Sequence, residues 1–502
     1  MKHRIIWTAM LVAALNTGTG LLHTATATAN TTSPASNRIY PSLPSQAPLP
    51  QTPGEAEEPA PTEDSFPDYS VFTPLEMPEV QEVVAAASAA DRGVMISYDV
   101  ATGEETITTA EAVAAAEALD AAETESHAPP LPFDVANAGQ GAQEIVAPSA
   151  FNGLTPVGAS DTYPWSPTVK LYIITGNNAF GTCSGAMIDP HWVLTVGHCI
   201  HDKTSGWAKS VRVVPAYASG AEPFQYARSV SLNSFVGWTR DQDHDWDMGF
   251  IFVDRPIGAL TGWYGFGYNS TSSFFTQQRF TSTGYPTEAP YDGTKMYTRE
   301  GAFDNVSSEV VYHNNWTYGG QNGSPSWLTS SKTIYAVAAT RSSTNSGQTR
   351  LSGAKFDMIL AAIKERVPAT FNLTPLTTQL NSSSVGIDGA LSRGSFLLHN
   401  YSSAAWNGAV NVKVYLSSNQ IISSSDLLLG TVRYQGQLAA KDSAWVQISG
   451  LSIPASVRGG NYWIGMILDS SDANLGDNIT EERWVAPLRV PFRLYLPLII
   501  ER

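Results

Sequence analysis

From about residue 147 onward, apolar residues come in short runs, VKLYIIT, VRVVPAY, MGFIFV and TIYAVAAT, separated by clusters of Gly, Asn, Ser and Pro. Runs of this length bounded by turn formers predict strands, and their spacing predicts an all-β sandwich or barrel. One closing helix is expected at MILAAIKERV, residues 358–367, whose apolar positions recur at helical spacing. A second β unit is expected after about residue 374. In AVNVKVYLS, Val410, Val412, Val414 and Leu416 alternate with their neighbours and share one face of a strand. LLLGTVRY, AWVQISGLSI and YWIGMILD supply further strands, and the length suits an immunoglobulin-like sandwich. RLYLPLII, residues 493–500, reads as either a last strand or a sorting tail.

The first 146 residues have a different texture. Lys2 and Arg4, an apolar run over residues 5–15 and the small residues Ala27-Thr28-Ala29 form a secretory signal with its cleavage site. The apolar run is too short to span a bilayer, which needs about 20 residues, so a secreted, extracellular protein without a membrane span is expected. Residues 30–78 are rich in Pro, Ser, Thr and Glu, as in PSLPSQAPLPQTPGEAEEPAPTEDSFP. Such a composition buries too little apolar surface to offset chain entropy, and disorder is expected there. TAEAVAAAEALDAAETE, residues 109–125, is a helix candidate stopped by Pro129 and Pro130. The expected organisation is a signal over residues 1–29, an acidic pro-segment or spacer over 30–146, a first β domain over 147–373 and a sandwich over 374–502.

Charge sharpens the division. The formal net charge is −16, yet residues 31–145 hold 20 acidic groups against two basic ones, Arg38 and Arg92, while residues 146–502 hold 25 of each sign. The neutral body carries no basic stripe for nucleic acid. Only two cysteines occur, Cys183 and Cys199. In an exported chain one disulfide is the simplest state, with a metal pair or two free thiols as the alternatives.

Candidate chemistry lies in three settings. His198, in WVLTVGHC, is delivered to a turn by an apolar strand. Asp247, in DWDMGFIFV, stands at the mouth of another, while Asp241, Asp243 and Asp245 read as a solvated acidic loop. GGQNGSPSW, residues 319–327, has the rhythm of a nucleophile loop. Serine-type hydrolysis needs a nucleophile, a histidine to carry its proton and a carboxylate to orient that histidine, drawn from distant parts of the chain. No cofactor and no metal site is expected.

TCSGAMI with LTVGHCIHD, DMGFIFVDRPIG, GWYGFGY, TSTGYP and YGGQNGSP occur in an order that resembles secreted chymotrypsin-fold serine proteases, most of all the glutamyl endopeptidase group, over about 200 residues. The resemblance implies two six-stranded β-barrels with a peptide-binding cleft between them. It makes His198 the general base, Asp247 its orienting acid, Cys183–Cys199 the disulfide bracing the histidine loop, and the amides of Gly320 and Asn322 the oxyanion hole. The C-terminal unit resembles the CARDB-like adhesion sandwich in VKVYLS, SSSDLLLG and NYWIGMILDSSDANLGDN, which implies a cell-surface ligand. Its acidic loop around Asp469, Asp472 and Asp477 reads as a solvated turn.

The chain departs from the pattern in three places. Asn322 occupies the nucleophile position, and losing the serine of such a triad costs roughly a million-fold in turnover. The histidine with which glutamyl endopeptidases hold an acidic side chain is missing from AVAATRSS, where Ala338, Ala339 and Thr340 stand, with Arg341 as a solvated cation beyond them. Gln321 replaces the aspartate that trypsin-like enzymes pair with a freed N-terminus. The expected function is a catalytically impaired protease homologue that binds peptides. The alternatives are an active serine endopeptidase and a surface-adhesion protein acting through its sandwich.

Overall fold

The computed structural model describes residues 66–79, 91–108, 122–130, 149–385, 389–391 and 394–492. The signal, most of the candidate helix at 109–125 and residues 493–500 lie outside them. Three strands precede the first β domain: β1 (Thr73–Pro74), β2 (Met95–Asp99) and β3 (Glu105–Ile107). The first barrel follows with β4 (Thr168–Ile174), β5 (Phe180–Met187), β6 (Trp192–Thr195), β7 (Ser210–Pro215), β8 (Ala227–Phe235) and β9 (Gly249–Val253). Pairing runs β7-β4-β5-β6-β9-β8 and returns from β8 to β7, which closes the barrel. Because side chains alternate across each strand, Val169, Leu171, Val193, Val211, Val213, Leu232 and Ile251 meet in its interior, all fully buried.

The longer strands of the second sheet are β10 (Phe280–Gly284), β11 (Tyr297–Gly301), β12 (Val310–His313), β13 (Pro325–Leu328), β14 (Thr333–Arg341) and β15 (Ser346–Arg350), with three two-residue strands paired at Thr155–Pro156, Gly265–Phe266 and Asn305–Val306. Its order is β12-β15-β14-β13-β10-β11. Among the described residues no pairing joins β11 to β12, so this sheet is a half-barrel where the resemblance implied a closed one. The predicted helix is α1 (Gly353–Arg366), and Phe356, Ile359 and Ile363 on its inner face join the barrel core. No helix among the described residues is long and apolar enough to cross a membrane.

Among the described residues the C-terminal unit is a sandwich of seven strands. It contains β16 (Leu373–Leu380), β17 (Gly394–Asn400), β18 (Trp406–Ser417), β19 (Leu427–Leu438), β20 (Ser443–Ile448), β21 (Gly460–Asp469) and β22 (Ala486–Val490). The sheets are β16-β17-β20 and β19-β18-β21-β22. Val410, Val412, Val414 and Leu416 are buried between them, as their alternation predicts. The sandwich is tied to the barrel by an ion pair from Lys441 to Asp189. The Trp445 indole donates to the Pro130 carbonyl at 2.9 Å, and the rings of His191 and Tyr401 meet at 4.3 Å.

The disorder expected of residues 30–78 does not extend to their final stretch. Phe66, Tyr69 and Phe72 pack with Tyr172, Tyr217 and Tyr285, and the Tyr69 ring stacks on Tyr172 at 3.8 Å. Three aromatic residues in one short segment provide the apolar area that the Pro-rich average conceals. Residues of the expected spacer also enter the sheets, since β2 pairs with β8 and β3 with β2.

Three histidines are held neutral by burial. Desolvation pushes His399 and His313 down to about 3 and lowers His191. Their unfolded values lie near 6.5, so the unfolded chain binds more protons between pH 6.5 and the folded values, and stability falls as the pH drops through that window. Each is expected to contribute up to about 1.4 kcal/mol per pH unit. Melting temperatures from pH 7 to pH 4 should fall, and His399→Gln should flatten the slope. An unchanged slope would remove His399 from the account.

Candidate active site

His198 lies on a one-turn helix, Gly197–Cys199, directly after β6. The turn can form only with glycine first, because a Cβ at Gly197 would come within 2.4 Å of the Trp238 ring. Cys199 is bonded to Cys183 on β5, so the turn is pinned to the barrel wall. Asp247 follows the one-turn helix His244–Trp246 and precedes β9, with its side chain fully buried. One carboxylate oxygen accepts the His198 backbone N–H at 2.9 Å, and the other lies 2.7 Å from His198 Nδ1. A carboxylate oxygen accepts, so Nδ1 carries a proton in this hydrogen bond. Nε2 is buried and has no partner among the described residues.

The sequence suggested a solvated acidic loop before Asp247, and the structure corrects this. Asp243 is 3% exposed and pairs with Arg92 at 2.7 Å, and Asp241 meets the same guanidinium at 3.3 Å. Arg92 is one of only two cations in the acidic segment. It fastens that segment over the loop that presents Asp247, and the Val236 amide donates to the Val94 carbonyl at 2.9 Å alongside. An isolated arginine in an acidic tract was the available signal.

Asn322 sits in the loop between Gly320 and Gly323, both in the left-handed region at φ 87° and 82°. A Cβ at Gly320 would lie 2.3 Å from Thr287 Oγ1, so the position requires glycine. The loop is fixed from behind, with the Ser184 amide donating to the Asn322 carbonyl and the Gly323 amide to the Ala338 carbonyl, each at 2.8 Å. The amides of Gly320 and Asn322 donate to nothing among the described residues and are free to serve as an anion-binding pair. The Asn322 side chain is fully buried. Its Nδ2 donates to the Leu75 carbonyl at 3.1 Å, and its Oδ1 has no partner among the described residues.

No serine replaces it. Ser324 Oγ points to the interior, where a Cβ at Gly284 would approach it to 1.9 Å, and Ser326 is buried in β13 opposite Ser282. Gln321 Oε1 accepts the Tyr318 amide at 2.9 Å and faces the buried Arg299 at 3.5 Å, so the loop is braced by internal groups. Arg341 is no solvated cation. It pairs with Glu288, donates to the Thr317 carbonyl at 3.2 Å and lies over the Trp316 ring at 4.6 Å.

Replacing Asp247 by Asn tests the arrangement. An amide would donate to Nδ1 and move the ring proton to Nε2, at a stability cost of about 1–3 kcal/mol. The nitrogen-15 shifts of His198 should exchange their protonated and unprotonated character. A ring that keeps its proton on Nδ1 in Asp247→Asn would contradict the assignment.

Several known proteins are similar to part of this chain. A family model described as Trypsin matches residues 157–354. The glutamyl endopeptidase of Bacillus licheniformis is 32% identical over 172 residues, 34% of this chain and 51% of that protein. A Bacillus subtilis protein named extracellular metalloprotease is 29% identical over 188 residues, 36% of this chain and 58% of that protein. The chain thus spans about half the length of the curated relatives it matches. The solved structure of Glu endopeptidase in complex with MPD is 20% identical and covers 42% of this chain and 96% of its own, with a TM-score of 0.38. The stretch that the Trypsin family model matches, residues 157–354, contains the paired His198 and Asp247 and the loop of Asn322.

Proposed function

We propose that this chain is an exported protease homologue that holds extended peptides in the cleft beside His198 and does not hydrolyse them. The observation that carries the reading is the pairing of a prepared base with an amide. His198 Nε2 is buried and unpartnered among the described residues, while position 322 presents Oδ1 and Nδ2 in place of a hydroxyl. An amide nitrogen has its lone pair delocalised into the carbonyl and an amide oxygen has no proton to surrender, so neither forms an acyl-enzyme under a histidine base. What remains is binding, through the free amides of Gly320 and Asn322 and the exposed edges of the cleft. The glutamate preference of the named relative does not carry over, because Ala338, Ala339 and Thr340 are uncharged and Arg341 is engaged with Glu288. The absence of basic patterning argues against nucleic acid, and a surface ligand for the sandwich stays a secondary reading drawn from its CARDB-like strands.

Asn322→Ser restores the missing hydroxyl next to a base that is already oriented. Casein incubated with the native chain should remain intact, whereas Asn322→Ser combined with Leu75→Asp, which loosens the chain's own segment from position 322, should release acid-soluble peptides, by roughly three orders of magnitude or more over background. Casein cleavage by the native chain would defeat the reading, as would an Asn322→Ser/Leu75→Asp protein that folds with its disulfide intact yet cuts nothing over days.

A further inference from the structure

The cleft is already filled by the chain's own N-terminal segment. β1 pairs in parallel with β5, Thr73 opposite Gly181 and Pro74 opposite Thr182, and the Leu75 amide donates to the Thr182 carbonyl at 3.3 Å. The Leu75 side chain covers Gly181, where a Cβ would approach it to 2.4 Å. Pro74 lies over Gly319, the first residue of the nucleophile loop, 3.1 Å from where its Cβ would be. The Leu75 carbonyl then receives the Asn322 amide. Two residues further on Met77 is 7% exposed, and the Arg341 amide at the end of β14 donates to the Pro78 carbonyl at 3.3 Å. The segment thus crosses from the wall of the first barrel, over position 322, to the edge of the second sheet. Upstream it is anchored by Tyr69, whose hydroxyl donates to Glu222, and by Phe66, which lies against the Arg212 guanidinium at 4.0 Å.

We infer that residues 73–79 are the resident ligand of the cleft, that Asn322 serves as a carbonyl-binding side chain toward them, and that any other peptide must displace them. The inference rests on the peptide-binding reading above and gives it a ligand class, an extended apolar segment of the form Pro-Leu-x-Met. Its contacts are those of strand addition, in which main-chain hydrogen bonds supply affinity and alternate side chains supply selectivity. Tethering makes the competition intramolecular. Covalent attachment holds a segment at an effective concentration on the order of millimolar, so a free peptide at micromolar concentration is excluded from the intact protein. Glycine at 181 and 319 leaves the room that Leu75 and Pro74 occupy.

The test uses a fluorescein-labelled peptide of residues 66–79, FPDYSVFTPLEMPE, and its counterpart with Asp in place of the leucine. Binding is followed by anisotropy to the full chain and to a Tyr69→Asp/Leu75→Asp variant, with Tyr69→Ala/Leu75→Ala as the milder pair should the first not fold. The loosened protein is expected to bind the leucine peptide about tenfold or more tightly than the intact chain does. It should bind the aspartate peptide no better than the intact chain does, and Asn322→Ala in the loosened protein should weaken the leucine peptide. Equal binding by intact and loosened proteins, or equal binding of both peptides, would overturn the inference. Failure of the peptide-binding reading is seen separately, because a cutting protein shortens the peptide, and mass spectrometry of the same samples detects that whichever protein binds it.

Discussion

The Asp247 carboxylate is the constraint on which the rest of the site depends. It is fully buried, and its two oxygens take the backbone N–H and the ring N–H of His198. A buried ionised carboxylate is tolerated only when hydrogen bonds replace its lost hydration, so the two loops that meet at this point cannot move independently. The Cys183–Cys199 bond fixes the histidine side of the junction, and the Arg92–Asp243 pair fixes the aspartate side. The imidazole is thus held in one orientation, and the adjoining loop carries the Asn322 amide where a hydroxyl would be needed for serine-type chemistry.

Position 322 therefore separates two properties that normally occur together. The backbone around it is that of a nucleophile loop, with left-handed glycines on both sides and two undonated amides. The side chain, however, donates to a peptide carbonyl of the same chain. Asparagine suits that task because its amide offers hydrogens in a fixed plane, whereas a serine hydroxyl would be drawn to the histidine.

Much of this was legible in the sequence. The alternation at 410–416 reports a half-buried strand directly, and the ordered settings of His198, Asp247 and Gly319–Gly323 identify the loops even though the contacts joining them are remote in sequence. What stayed hidden depends on long-range pairing. The half-barrel is a matter of which edges meet, and no local pattern encodes that. Residues 66–79 carry prolines and acids that argue for disorder, and their aromatic residues gain meaning only from the tyrosines waiting on the barrel. Arg341 reads as solvated until the elements around it are in place.

The central claim is that position 322 binds and does not attack. It is tested most directly by exposing the native chain to a fluorophosphonate, which modifies only activated hydroxyls, and mapping every adduct by peptide mass spectrometry. The account predicts an unmodified peptide spanning residues 319–327. An adduct on Ser324 or Ser326, lost in His198→Ala, would show that the loop holds a working nucleophile and would contradict it.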